Sequence, residues 1–260
     1  MPATLFGREL IGTYQLSESL LRRFCGRGPL HHFLAQYATG DACVVFDDFT
    51  GKALNATDTW NIPTAGATAT TWAVNGQANG VIRGATGTTA ATSGLQILSN
   101  ASGMGTWTGA RNCGIEIMWQ TSDITELRFE LGFVATSPAV NTTIVNNLST
   151  PTFNTTANGA VYLYDHTGST TTMGLYTIGT AITAQAVAAT LGAPVNATFN
   201  RVSLQMVGQH SFVQVNGRTV ARVSTGNVAA TAMYPVLSIK NNSTTSQNID
   251  IDYIRIWQNR

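Results

Sequence analysis

From residue 43 onward, apolar residues recur in runs of four to nine positions with a period near two, the spacing of half-buried β-strands. Twelve such segments are predicted: 43–49, 70–74, 95–98, 115–119, 126–134, 161–164, 175–178, 201–207, 211–215, 219–223, 236–239 and 249–257. Clusters of Gly, Asn, Thr and Ser separate them, as turns require. That many strands calls for two packed sheets rather than one open sheet. No internal period is visible, which argues against a propeller or solenoid. Residues 84–93, 136–157 and 167–172 read as long loops at the sheet ends, where function is most often carried.

The first forty residues follow another rhythm. Leu16, Leu20, Leu21 and Phe24 fall on one helical face, with cap chemistry at Ser17 and Ser19. Gly26 to Pro29 stops that helix, and Leu30, Phe33, Leu34 and Tyr37 begin a second face that ends near Gly40. Arg22, Arg23 and Arg27 sit where the helix dipole favours cations. Helices this short need a surface to pack on. They are expected either to fold back on their own domain or to form an arm docking on a partner through Leu16, Leu20, Leu21, Phe24, Phe33 and Tyr37. The expected division is therefore residues 1–42 as a helical anchor arm and 43–260 as a β-sandwich.

Composition narrows the functional classes. Apolar residues make up 43% of the chain and charged residues only 10%, with a net charge of +1. Thr, Asn, Ser and Gln must carry solubility, and such groups desolvate more cheaply than ions, which suits close packing between copies. A homo-oligomer is expected. No basic stripe with interleaved aromatics supports nucleic-acid binding. Arg8, Glu9, Glu18, Arg22 and Arg23 break any export-signal core, and no segment approaches a membrane-spanning length. Cys25, Cys43 and Cys113 form no CxxC pair, His31 and His32 are adjacent, and His166 and His210 lack any HxH context. No metal site or cofactor is expected.

Three segments carry a resemblance. Phe199-Asn200-Arg201-Val202-Ser203-Leu204, then Phe212-Val213-Gln214-Val215-Asn216-Gly217-Arg218, then Ile249-Asp250-Ile251-Asp252-Tyr253-Ile254-Arg255-Ile256-Trp257 resemble the late strands of concanavalin A-like and laminin-G-like jelly rolls. Asp47-Asp48-Phe49-Thr50-Gly51 resembles the first strand of that family, which lies beside the last. The resemblance implies an all-β, two-sheet antiparallel jelly roll over about residues 43–258. Asn216-Gly217 is expected to turn a tight hairpin. In the last strand Ile249 and Ile251 share one face and Ile254 and Ile256 the other, so a bulge or a crossing between sheets is expected near Tyr253.

Many members of this family are glycoside hydrolases with an E-x-D-x-E or E-x-D-x-x-E strand, which Glu126-Leu127-Arg128-Phe129-Glu130 matches only at its outer positions. The intervening cation suits a structural ion pair better than a proton-holding general acid. Glu116, Glu126, Arg128 and Glu130 are therefore expected to form a cross-strand polar patch, and no catalytic activity is expected. Trp60, Trp72 and Trp107 lie beside polar, glycine-rich segments, and exposed indoles there would stack on a pyranose face. Low charge, an anchor arm and a β-domain resemble decoration, head-fibre or tail proteins of tailed bacteriophage virions. The primary expectation is a virion protein attached to the major capsid protein or another virion protein. The alternative is a carbohydrate-binding protein of lectin-like fold that meets a host-surface glycan, and the third a glycoside hydrolase.

Overall fold

The structure, a computed structural model, describes residues 42–49, 60–66, 68–75, 80–90, 93–99, 106–136, 139–140, 142–146, 158–167, 170–179, 182–188, 194–208, 210–223 and 232–259. The expected anchor residues Leu16, Leu20, Leu21, Phe24, Phe33 and Tyr37 lie outside them.

Two antiparallel sheets face each other. The first runs β14 (Arg218–Val223), β13 (His210–Val215), β12 (Asn200–Val207), β7 (Gly114–Thr121), β16 (Asn248–Asn259), β5 (Ile82–Ala85), β4 (Thr70–Val74). β1 (Ala42–Asp47) also pairs with β16, from Ala42 opposite Asn259 to Asp47 opposite Ile254. The second sheet runs β11 (Ile182–Ala188), β10 (Thr170–Gly179), β9 (Gly159–Thr167), β8 (Leu127–Val134), β15 (Tyr234–Asn241), β6 (Gly94–Ser99), β2 (Trp60–Asn61), with β3 (Thr64–Ala65) also on β6. All twelve expected segments overlap strands, with Asp48, Phe49 and Glu126 falling outside them. β5 begins inside the apolar pair Val81-Ile82 and runs into residues expected as loop.

The alternation along each strand explains the core. Ile115, Ile117 and Trp119 of β7 point inward, as do Leu127, Phe129 and Leu131 of β8, and all are buried. Across the gap Trp119 stacks on Phe129 with ring centroids 4.3 Å apart and planes 8° from parallel. The hairpin between β13 and β14 turns on Asn216 and Gly217 at φ 51° and 79°, a left-handed pair that Asn-Gly adopts readily. The Asn216 side chain also accepts from the Arg201 N–H at 2.9 Å, tying the turn to β12.

A bulge between Ile251 and Tyr253 restores the phase of the last strand, so Ile249, Ile251, Ile254 and Ile256 all enter the core. β16 therefore stays in one sheet. The extra residue, Asp252, is pushed above the ordinary carboxylate range, first by burial and then by Asp48. A carboxyl raised above its unfolded value of about 3.9 costs stability once pH climbs through its folded value. Asp252→Asn is expected to raise the melting temperature at pH 7 and to change nothing in strongly acidic buffer, as thermal melts across pH would show.

Candidate functional site

Trp60, Trp72 and Trp107 are buried at 1%, 3% and 0% exposure, which corrects the expectation that they form sugar-stacking platforms. Their volume fills the space between the sheets. The Trp60 indole N–H donates to Asp47 Oδ2 at 2.8 Å, and that of Trp72 donates to the Gln96 carbonyl at 3.3 Å.

The four-residue polar patch also divides. Glu126 precedes β8 in a left-handed conformation, φ 59°, and is off the strand. Arg128 and Glu130 share the face of β8 turned away from the core, as expected, but segment 142–146 covers that face. Arg128 donates to Asp165 Oδ2 at 2.8 Å, to Glu130 Oε1 at 2.9 Å and to the Val145 carbonyl. Glu130 in turn accepts the Ile144 and Val145 N–H groups at 2.8 and 2.9 Å. Ile144 and Val145 pack with Val134, Val161, Leu163, Tyr176 and Val236 in a second apolar cluster. These ions fasten a loop across the second sheet.

Glu116 belongs to the other sheet, so it meets neither Arg128 nor Glu130. The bulge at Asp252 brings Arg255 opposite Glu116, and the two form a buried ion pair. The Tyr253 hydroxyl donates to the same carboxylate oxygen at 2.9 Å. Burial, with Glu116 adding to it, raises the Tyr253 phenol above its ordinary range, which keeps it a donor.

The outer face of the first sheet is where chemistry-bearing side chains gather. Register places two rows across six strands, β1 to β14. One reads Phe46, Arg255, Glu116, Ser203, Gln214, Thr219; the other reads Val44, Trp257, Gly114, Gln205, Phe212, Arg222. At about 4.8 Å between strands, each row spans about 24 Å. Phe46 is 55% exposed and lies 5.9 Å from the Tyr253 ring. The Arg255 guanidinium sits 5.9 and 5.8 Å from the centroids of Tyr253 and Trp257. Gly114 is required here, since a Cβ at that position would collide with the Trp257 indole lying over it.

A second bulge shapes one end of the face. Between Val213 and Gln214 the pairing with β14 slips by one residue. Thr219 and Arg222, three positions apart, thereby come to the same side as Phe212, a re-aiming typical of bulges. With Val207 and His210 they line an open cavity of about 310 Å³, within the usual span of about 300–1,000 Å³ for small-ligand sites. Among the described residues, His210 Nδ1, Gln205 Nε2 and Gln214 Oε1, on the neighbouring strands β12 and β13, are buried without hydrogen-bond partners, as is Glu116 Oε2 further along the row. Such groups are costly unless satisfied. A smaller cavity of about 150 Å³ at the other end is lined by Arg83, Gln120 and Asp250, which already bond one another at 2.6 to 2.9 Å.

Among the described residues no group of three His, Cys, Asp or Glu side chains is placed to hold a metal ion. Cys43 and Cys113 are free thiols, and burial raises that of Cys113.

No family model matches the sequence, and no curated protein matches it. Solved structures match the fold. The Emp47p carbohydrate recognition domain superposes with a TM-score of 0.55 at 12% identity, covering 84% of this chain and 95% of that one. The catalytic domain of an endo-1,3-β-glucanase (laminarinase) from Thermotoga petrophila gives 0.54 at 13%, covering 85% and 99%. The exoplasmic/lumenal domain of VIP36, in its Ca²⁺/Man-bound form, gives 0.53 at 8%, covering 83% and 89%. The two-sheet antiparallel jelly roll is thus shown, a fold these lectin and glucanase structures share. Laminarinases and an endo-β-1,3(4)-glucanase of family GH16 share this architecture at 12–13% identity, a finding that runs against the expectation of a chain without catalytic activity. Nothing in these comparisons links the chain to bacteriophage virion proteins.

Proposed function

We propose that this protein binds carbohydrate, with the saccharide seated at the β13–β14 end of the outer face of the first sheet. The reading is supported above all by the open cavity at the β13–β14 end of the two rows, where Phe212, Thr219, Arg222 and His210 meet; further along, Glu116, Ser203, Gln205, Arg255 and Trp257 are buried. Saccharides present alternating apolar ring faces and hydroxyl edges, and this end of the sheet offers both kinds of partner: Phe212 for stacking, Arg222, Thr219 and His210 for hydrogen bonds. The lectin and glucanase folds of the similar structures favour the same reading. Virion attachment rests on composition and on residues 1–42 alone, and is the weaker reading.

The test is affinity for a panel of polysaccharides. Retention of the full chain on at least one glycan is expected, and Phe212→Ala should weaken it about fivefold through lost stacking of roughly 1 kcal/mol. Failure to bind any polysaccharide refutes the proposal. The same incubations, assayed for new reducing ends, show whether binding is accompanied by cleavage. Glu116 is the carboxylate within the rows, so Glu116→Gln is the substitution that would report its part in any turnover.

A further inference from the structure

Charge on the proposed face is uneven. Between Asp165 and Asp250 the chain contains no acidic residue, while Arg201, Arg218, Arg222 and Lys240 all fall in that interval. Three adjacent strands of the first sheet, β12, β13 and β14, come from it, so this end of the sheet holds Arg201, His210, Arg218 and Arg222 without one carboxylate. Arg218 and Arg222 are exposed, and no acidic partner is found for either among the described residues. The nearest carboxylate along the rows, Glu116, is already engaged by Arg255 and Tyr253.

From this geometry we infer that the β13–β14 cavity selects an anionic glycan, one bearing sulfate or carboxylate groups. The inference rests on the carbohydrate-binding proposal above and names the class of saccharide. Three observations converge on it. Arg222 and His210 flank the half-buried Phe212 ring in one cavity, the arrangement that holds a sugar ring by its face and an acidic substituent at its edge. The bulge at Val220 is what turns Arg222 toward that ring rather than away from it. Arg222 is exposed, and among the described residues no carboxylate pairs with it. A planar guanidinium matches a sulfate or carboxylate by paired N–H donors, which a neutral hydroxyl does not exploit.

The experiment compares dextran sulfate with unmodified dextran, polymers of one backbone that differ only in the anion, titrated into the full chain. Tighter binding of dextran sulfate is expected, with a preference that shrinks as salt is added. Arg222→Gln should reduce that preference about tenfold, the loss of a charge-assisted hydrogen bond, while Arg222→Lys should keep part of it. Circular dichroism of both variants confirms folding. Equal affinity for the two dextrans, alongside binding to any neutral glycan of the panel, overturns the inference and leaves the carbohydrate proposal standing. Absence of binding to every polysaccharide overturns both. A preference that survives Arg222→Gln, or a DNA duplex bound as tightly as dextran sulfate, also overturns it, because the attraction would then be to polyanions at large.

Discussion

Replacing Arg128 with methionine is expected to cost about 3–5 kcal/mol of folding stability, the usual consequence of stranding a buried charge. Glu130 is 1% exposed and faces Arg128 at 2.9 Å, and Asp165 lies on the other side of the same guanidinium at 2.8 Å. Without the cation, two carboxylates face each other in a covered site. The loop carrying Ile144 and Val145 would loosen with them, since Arg128 holds its carbonyl and Glu130 its N–H groups. Urea unfolding measures the loss. The double variant Arg128→Met with Glu130→Leu should lose less than Arg128→Met alone, because apolar groups can replace an ion pair when both members go. If the double variant were the worse of the two, the ions would contribute more than mutual neutralisation.

Gly132→Ala is the second large effect. A Cβ there would press on the Ala160 carbonyl oxygen and stand 2.8 Å from Val161 Cα, both backbone atoms of the neighbouring strand. Backbone in a paired strand cannot step aside as a side chain can, so a loss of about 3 kcal/mol or more is expected. Gly114→Ala makes the instructive contrast. There the obstruction is the Trp257 indole, a side chain. The expected stability loss is smaller, since a side chain can shift where paired backbone cannot, and urea unfolding of the two variants checks the order.

Much of the fold could be read from residue order because its signals are local. Asn216-Gly217 dictates a left-handed turn by itself, and the phase slip between Ile251 and Ile254 announces a bulge or a crossing between sheets without reference to any other strand; the pairing with β7 makes it a bulge. Leu127, Phe129 and Leu131 alternate cleanly into the core for the same reason. The strand Ile82–Ala85 was hidden by Gly84, which is there because Leu95 crowds that position from the facing sheet and Trp72 from the neighbouring strand. The three tryptophans misled because glycine and polar neighbours in sequence say nothing of the gap between sheets that an indole must fill.

The candidate site was less legible, since it is a product of register. Glu116 and Arg255 are 139 positions apart, and nothing short of knowing where Asp252 interrupts the last strand would pair them. Thr219 and Arg222 are separated by an odd number, which by simple alternation sends them to opposite faces; the slip beside Val213 reverses that. One signal was present and simple: the stretch without Asp or Glu between Asp165 and Asp250, which marks a cationic end of the sheet.

The pairing of the first strand with the last has a mechanical consequence. Because Ala42 lies opposite Asn259, a pull applied to those two residues in opposite directions loads the ladder from one end and opens its hydrogen bonds in succession, as a zipper does, rather than all together in shear. Tension reaching the domain through residues before 42 and after 259 would therefore peel away β1 at low force. The remaining strands of the first sheet, and the cavity at β13 and β14, would stay in place.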